Sequence, residues 1–231
     1  MAGHPDISII IPVLNESEGI NEVVGRIRSI VSGNVAEIIV VDGDPAGNTI
    51  HALEDERVIK TLSEKGRAVQ MNKGAALASG GILLFLHADT MLPQNALVSI
   101  AQCMQDSRYV GGAFDLGIRT SRKIFMITER YVALRTRLTK VPFGDQAIFL
   151  RREYFERIGW FKPIPVMEDV ELMARIKKRG DHLRIIPEKV MTSDRRWEKE
   201  GVLYATFRNW VLQLLYRAGV APERLSRFYK S

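Results

Sequence analysis

With 231 residues, 46% of them hydrophobic and 26% charged, the chain is long enough to bury a proper core and too apolar to be disordered. Its single cysteine, Cys103, excludes an intrachain disulfide or a thiolate zinc cluster and suits a reducing, cytoplasmic setting. No basic leader opens the chain and no segment has about eighteen uninterrupted apolar residues, so neither secretion nor membrane spanning is expected. The net charge of +6 is unevenly placed: seven Lys/Arg between Arg119 and Lys140 face the single acid Glu129. That stretch suits an anionic partner, such as a phosphorylated substrate, an acidic lipid surface or nucleic acid, or else is a solvated helix face.

In chain order, Ile7 to Pro12 reads as a buried strand. Glu16 to Val31 reads as an amphipathic helix capped by Asn15 or Ser17. Glu37 to Val41 is a β-branched strand ending at Asp42, followed by a Gly/Pro-rich turn and a short helix. Arg57 to Leu62 is a third strand, and an Ala-rich helix through Ser79 leads to a strand from Ile82. Pro93 opens another helix at its first position. This alternation predicts an α/β fold, with a mostly parallel sheet and helices on both faces. Beyond it the pattern becomes mixed α+β. Gly111 to Arg119 is extended, Arg122 to Leu138 helical, Gln146 to Arg151 a strand, Arg152 to Ile158 a short helix and Asp169 to Lys178 a longer one. His182 to Ile186 and Lys189 to Thr192 read as two short strands. A final helix to about Ala218 carries Leu203, Phe207, Trp210, Val211, Leu214 and Leu215 on a stripe expected to pack on the sheet. No repeat or linker divides the chain, so residues 1–231 are expected to form one domain: a first half (1–110), a second half (111–200) and a C-terminal helix and tail (201–231).

Acids stand where strands end. Asp89 follows the apolar run from Ile82 to Leu86, at the sheet edge where open α/β folds bind ligands; it is a metal or phosphate-substrate residue there, or a helix cap. Asp42 ends the second strand as a nucleoside contact or as an ordinary Asp-Gly turn. Glu168-Asp169 opens a helix after Pro163 and Pro165, where acids serve the helix dipole or supply a general base for an acceptor hydroxyl. Lys65-Gly66-Arg67 precedes a helix and is a place where phosphate can rest, while Arg195-Arg196-Trp197 joins phosphate-binding forks to an aromatic face.

Together these segments resemble glycosyltransferase family 2, the nucleotide-sugar-dependent enzymes of GT-A fold (a Rossmann-like, mostly parallel central sheet), and in particular a small soluble branch of it. Ile9-Ile10-Ile11-Pro12-Val13-Leu14-Asn15-Glu16 is similar to its first strand and loop, and Val40-Val41-Asp42-Gly43 to its second acidic turn. Asp89 falls on the last acid of its DxD metal motif, with His87 at the first position. Gly144-Asp145-Gln146 resembles its acceptor-side segment, Glu168-Asp169 its ED motif, and Arg195-Arg196-Trp197 the end of its QxxRW element, without the Gln. The resemblance implies inverting transfer of a sugar from a nucleoside diphosphate sugar to an acceptor hydroxyl of unknown identity. It implies Asp169 as base and Glu168 orienting it or touching the acceptor. Asp89, with His87, would hold Mg²⁺ or Mn²⁺. Pro12, Asn15, Glu16 and Asp42 would surround the nucleoside. Lys65, Arg67, Asp145, Gln146, Arg195, Arg196 and Trp197 complete the substrate-binding set.

Two nucleotide-binding alternatives lack their glycine-rich loops: a sugar-phosphate nucleotidyltransferase, and a dinucleotide oxidoreductase, for which no G-x-G-x-x-G follows a strand. The remaining alternative is a non-catalytic nucleotide-sugar binder or membrane-surface protein on the same fold, with the basic segment and the terminal helix lying on the inner face of an anionic membrane or forming a homodimer face. Nucleic acid is not among the expected partners.

Overall fold

The computed structural model describes residues 6–31, 36–120, 124–139, 141–193 and 202–228. Its first half is built from four parallel strands, β1 (Ile7–Val13), β2 (Ala36–Asp42), β3 (Ile59–Leu62) and β4 (Ile82–Phe85). Helices α1 (Ile20–Ile30), α2 (Asn48–Ala52) and α3 (Arg67–Leu77) connect them. Then come β5 (Thr90–Met91), α4 (Ala96–Met104), β6 (Tyr109–Arg119) and α5 (Ile124–Thr139). The chain continues through β7 (Phe149–Arg151), α6 (Arg152–Arg157), α7 (Glu168–Lys178), β8 (His182–Ser193), α8 (Val202–Arg217) and α9 (Pro222–Leu225).

The eight strands form one sheet in the order β3-β2-β1-β4-β7-β6-β8-β5. β1 is flanked by two parallel neighbours, Ile9 standing beside Ile38 of β2 and Leu84 of β4. The chain therefore builds outward from β1 to β3 and then returns to the other side of β1 as β4. A crevice opens where the order reverses, just past Val13 and Phe85. Antiparallel β7 beside β4 and parallel β6 and β8 beyond it give the second half its mixed character.

Alternation along β1 explains the two-sided core. Ile9, Ile11 and Val13 face α1 and α4 through Ile20, Val24, Ile27, Leu97 and Ile100, while Ile10 faces α3, α6 and α7 through Met71, Ala75, Phe155, Leu172 and Ile176. Gly74 lets α3 lie close: a Cβ there would overlap Ile10 Cγ2 and stand 3.1 Å from Val41 Cγ2. Buried Gln70 ties the same helix to the strand ends, its amide nitrogen donating to the carbonyls of Val13 (2.7 Å) and Val41 (2.8 Å).

Several element boundaries differ from the sequence expectation. α1 begins at Ile20 behind Gly19, with no side-chain cap from Asn15 or Ser17, because Asn15 turns in the left-handed region at φ 58°. α4 begins at Ala96, and Pro93 lies in the preceding loop, where its carbonyl accepts the Ala96 N–H. Gln146 belongs to a 3₁₀ turn (Gly144–Gln146), and the strand starts only at Phe149, because Ala147 is left-handed at φ 49°. The two expected strands after residue 182 are one strand, β8, which shifts register between Ile186 and Lys189 and so keeps pairing with β6.

The terminal helix corrects a further expectation. Trp210, Leu214 and Leu215 are 47%, 44% and 38% exposed, and the face α8 turns inward carries buried Leu212 and half-buried Tyr216. Those two pack with Val166, Met167 and Val170 in a third, smaller apolar cluster at the start of α7. The side chains of Leu203 and Phe207 lie outside the described residues. No helix among the described residues is long and apolar enough to cross a membrane.

The charged side chains of α5 find partners on neighbouring elements. Arg137 pairs with buried Asp115 of β6, Glu129 pairs with Lys189 of β8, and the Arg135 guanidinium lies 3.4 Å from the centroid of the Phe143 ring.

Candidate active site

The strand-end acid is held at both sides. After β4 the chain turns through His87, whose carbonyl accepts the Thr90 N–H (3.0 Å), and Thr90 pairs with Thr192 of β8. The Asp89 carbonyl accepts the Ser193 N–H at 3.1 Å, while its side chain is left exposed at the crevice. A cavity of about 170 Å³ opens there, with His87, Asp89, Asp169 and Arg67 on its walls. Asp89 also borders a second cavity of about 170 Å³, toward α1, whose walls include Glu16 and Arg119.

Asp169 reaches the first cavity because Met167, two residues before it, takes a left-handed conformation (φ 68°) that buried packing in the third cluster offsets. Its carboxylate is fixed by two backbone donors: Gly144 N–H to Oδ2 (2.7 Å) and Val170 N–H to Oδ1 (2.7 Å). Each oxygen keeps a lone pair for a further hydrogen bond. Gly144 is the hub of this arrangement, since a Cβ there would stand 3.0 Å from His87 Nε2 and 3.5 Å from Asp169 Oδ2.

Residues 8–159, more than half of the chain, match the sequence profile described as Glycosyl transferase family 2. The chain belongs to that family. A dolichol-phosphate mannosyltransferase of Pyrococcus furiosus is 29% identical over 119 residues, 46% of this chain and 34% of the relative. The chain spans between about a third and three fifths of the length of the curated relatives it matches. Among solved structures, the mannosyltransferase PcManGT from Pyrobaculum calidifontis, in complex with GDP-Man and Mn²⁺, has a TM-score of 0.70 at 23% identity, covering 96% of this chain and 67% of that one. Staphylococcus aureus TarS 1-349 in complex with UDP-GlcNAc has a TM-score of 0.63 at 14% identity, covering 81% and 58%. These likenesses establish the GT-A fold for this family 2 chain.

Within that fold, Glu168 takes a role different from the expected one. It is 2% exposed and absent from the cavity wall, and its Oε1 accepts from Arg67 Nε at 2.9 Å. Burial pushes its carboxyl above the usual glutamate range; the Arg67 guanidinium opposes that shift and the Asp169 carboxylate adds to it. In this geometry the Glu168 carboxylate faces Arg67 rather than the cavity. It fixes Arg67, whose side chain remains 40% exposed at the cavity.

Gln146 is corrected likewise. It is fully buried; its amide nitrogen donates to the Phe114 carbonyl (2.9 Å) and its oxygen accepts from Phe143 N–H (3.0 Å) and Thr136 Oγ1 (3.2 Å). Its polar atoms bind β6, α5 and the 3₁₀ turn together rather than a substrate. Neighbouring Asp145 does line the cavity.

Asp42 is also fully buried. Its oxygens accept from the backbone N–H groups of Asp44 (2.9 Å), Thr49 (3.0 Å) and Ile50 (3.3 Å), so it closes the turn into α2. Contact with a nucleoside requires that turn to shift. Asn15 is exposed and Pro12 half-buried beside it; Glu16 holds the loop through its N–H to Thr49 Oγ1 (3.1 Å). Pro12, Asn15 and Lys65 line neither cavity, and Lys65 is exposed on the loop before α3. Arg195, Arg196 and Trp197 lie outside the described residues.

Sequence reasoning missed the wall supplied by the C-terminal helix. Asn209 and Gln213 of α8 line the cavity with Phe143 and Thr192. Asn209, Leu212, Gln213 and Tyr216 follow the i, i+3, i+4, i+7 spacing of one helix face, a signal present in the sequence but carried by two polar residues.

Proposed function

We propose that the chain is an inverting, divalent-metal-dependent glycosyltransferase that moves a sugar from a nucleoside diphosphate sugar to an acceptor hydroxyl. The observation that carries this reading is the convergence of Asp169, Asp89, His87 and Arg67 on one cavity at the reversal point of the sheet. Asp169 accepts the acceptor's hydroxyl proton as that oxygen bonds to the anomeric carbon. The bond from that carbon to the diphosphate oxygen breaks in the same displacement, which inverts the centre. The nucleoside diphosphate departs with its bonding electrons, and Arg67, held by Glu168, faces the charge it gathers.

Among the described residues no three His, Cys, Asp or Glu side chains gather into a metal cage. One exposed carboxylate with an imidazole nearby nevertheless fits Mg²⁺ or Mn²⁺, which take few protein ligands and complete their shell with substrate phosphate oxygens and water. Asp89, with His87, would hold the ion, which supplies positive charge to the leaving diphosphate. PcManGT was solved with GDP-Man and Mn²⁺, and TarS with UDP-GlcNAc, which supports GDP- and UDP-sugars as the first donors to test.

A thermal-shift screen of nucleoside diphosphate sugars with Mn²⁺ should identify the donor. With that donor, Asp169→Asn should lower transfer by about 10²–10⁴-fold while donor binding persists. Unchanged turnover would remove Asp169 as the base. Calorimetric titration of Mn²⁺ with the nucleoside diphosphate should lose its signal in Asp89→Ala, and a retained signal would move the metal elsewhere.

A second reading adds peripheral contact with an anionic membrane, favoured by exposed Trp210 and Leu214 on α8 and by exposed Leu138 on basic α5. Salt-sensitive sedimentation with anionic liposomes supports it; recovery in the supernatant at low and high salt excludes it.

A further inference from the structure

Asn209 and Gln213 stand one turn apart on α8, and both line the cavity that contains Asp169. Their direction is set by packing. Leu212, on the same face, is 3% exposed within the cluster of Val166, Met167 and Val170, the segment that delivers Asp169 into the cavity. The helix therefore cannot rotate its amides away without exposing Leu212, and the amides and the carboxylate are held to a common support.

Asn209 Oδ1 is shut off from solvent and has no hydrogen-bond partner among the described residues. A buried amide oxygen in that condition carries an unmet desolvation cost, which an arriving hydrogen-bond donor removes. An amide oxygen can only accept. An ionised phosphate also only accepts, so it cannot satisfy this atom, whereas a hydroxyl can. The cavity is thus chemically divided: Arg67 offers hydrogen-bond donors suited to a diphosphate, and α8 offers an acceptor oxygen suited to a hydroxyl.

We propose that Asn209, with Gln213 beside it, is a specificity-determining pair that binds the acceptor substrate. Asn209 Oδ1 accepts a hydrogen bond from a second hydroxyl of the acceptor, next to the hydroxyl that Asp169 deprotonates. The acceptor class is therefore polyhydroxylated and sugar-like at its reacting end. Gln213 contributes both a donor and an acceptor to the same group. This rests on the transferase reading given above.

The test uses the full chain with Mn²⁺, GDP-mannose and UDP-GlcNAc as donors, and the methyl glycosides of mannose, glucose, galactose and N-acetylglucosamine as acceptors. At least one methyl glycoside is expected to be glycosylated. For that acceptor, Asn209→Ala should raise KM about tenfold more than it raises the donor KM, with a smaller bias in Gln213→Ala. Trp210→Ala, on the exposed face of the same helix, should show no such bias. Parallel rises in acceptor and donor KM would overturn the assignment, as would an equal bias in Trp210→Ala. Donor hydrolysis with no methyl glycoside glycosylated would overturn the acceptor class while leaving the transferase reading intact. Absence of donor binding and hydrolysis across the whole thermal-shift set of nucleoside diphosphate sugars would remove that reading and this one with it.

Discussion

Gly144→Ala tests whether His87 and Asp169 work as one site. The added methyl carbon would lie 3.0 Å from His87 Nε2, 3.1 Å from His87 Cε1 and 3.5 Å from Asp169 Oδ2. Comfortable carbon contacts begin at about 3.5 Å, so the imidazole must retreat by roughly 0.5 Å. Gly144 is not among the residues with positive φ, so alanine adds no left-handed strain and the effect is confined to the crowded ring and carboxylate. The ring is partly exposed, which puts the stability loss near the low end of overpacking, about 1 kcal/mol. Catalysis is more sensitive: a misplacement of about 1 Å can cost ~10²-fold, so half that displacement predicts a loss of about tenfold in kcat. The assay is steady-state transfer with Mn²⁺, in the wild-type and His87→Ala backgrounds, alongside thermal melts. Removing the imidazole gives the methyl room, so Gly144→Ala should add little in the His87→Ala protein. A single variant within twofold of wild type, or an equal loss in both backgrounds, would refute the coupling.

Arg67→Ala leaves Glu168 buried without its counter-charge, and should destabilise by about 2 kcal/mol, below the ~3–5 kcal/mol of a fully buried pair because Arg67 is 40% exposed. Glu168 titrates higher in the fold than in the unfolded chain, so its stabilising contribution is complete below the ordinary glutamate pKa and is lost as pH rises through the raised folded value. Glu168→Gln should flatten that part of the stability profile, and superimposable melting curves across pH would contradict it. Gly74→Ala sets a helix-propensity gain of ~1 kcal/mol against overlap with Ile10 Cγ2 in a close-packed core, costing about 1–3 kcal/mol. Net destabilisation is expected in urea unfolding; a variant as stable as wild type would show that α3 can lift from the sheet freely.

Strands β1 and β2 were legible because each is an apolar, β-branched run ended by a polar turn, Ile7 to Pro12 and Glu37 to Asp42. Asp89 and Asp169 were legible for the same reason, as carboxylates at the mouths of regular elements. What escaped depends on backbone turns and tertiary contacts. Ala147 and Ile148 look like strand residues, yet the left-handed turn at Ala147 delays β7 to Phe149. Gln146 and Glu168 carry the motif pattern, but burial engages one with Phe114, Phe143 and Thr136 and the other with Arg67. On α8 the apolar stripe was the visible pattern, whereas the cavity is faced by the amides of Asn209 and Gln213, and no hydropathy pattern reveals which side of a helix meets a ligand.

The bond from Ser193 N–H to the Asp89 carbonyl joins segments about a hundred residues apart, and β5 binds to β8 across the same interval. The parallel strands from β1 to β4 can pair as soon as they are synthesised, but the acid that follows them is anchored only when the last long strand arrives. Loop closure over that distance is costly and slow, so competence should trail secondary structure during refolding. The same linkage runs in reverse: if the β8 edge frays under mild denaturant, the pocket is lost while the parallel half still stands. Enzyme assays would then register unfolding before circular dichroism does.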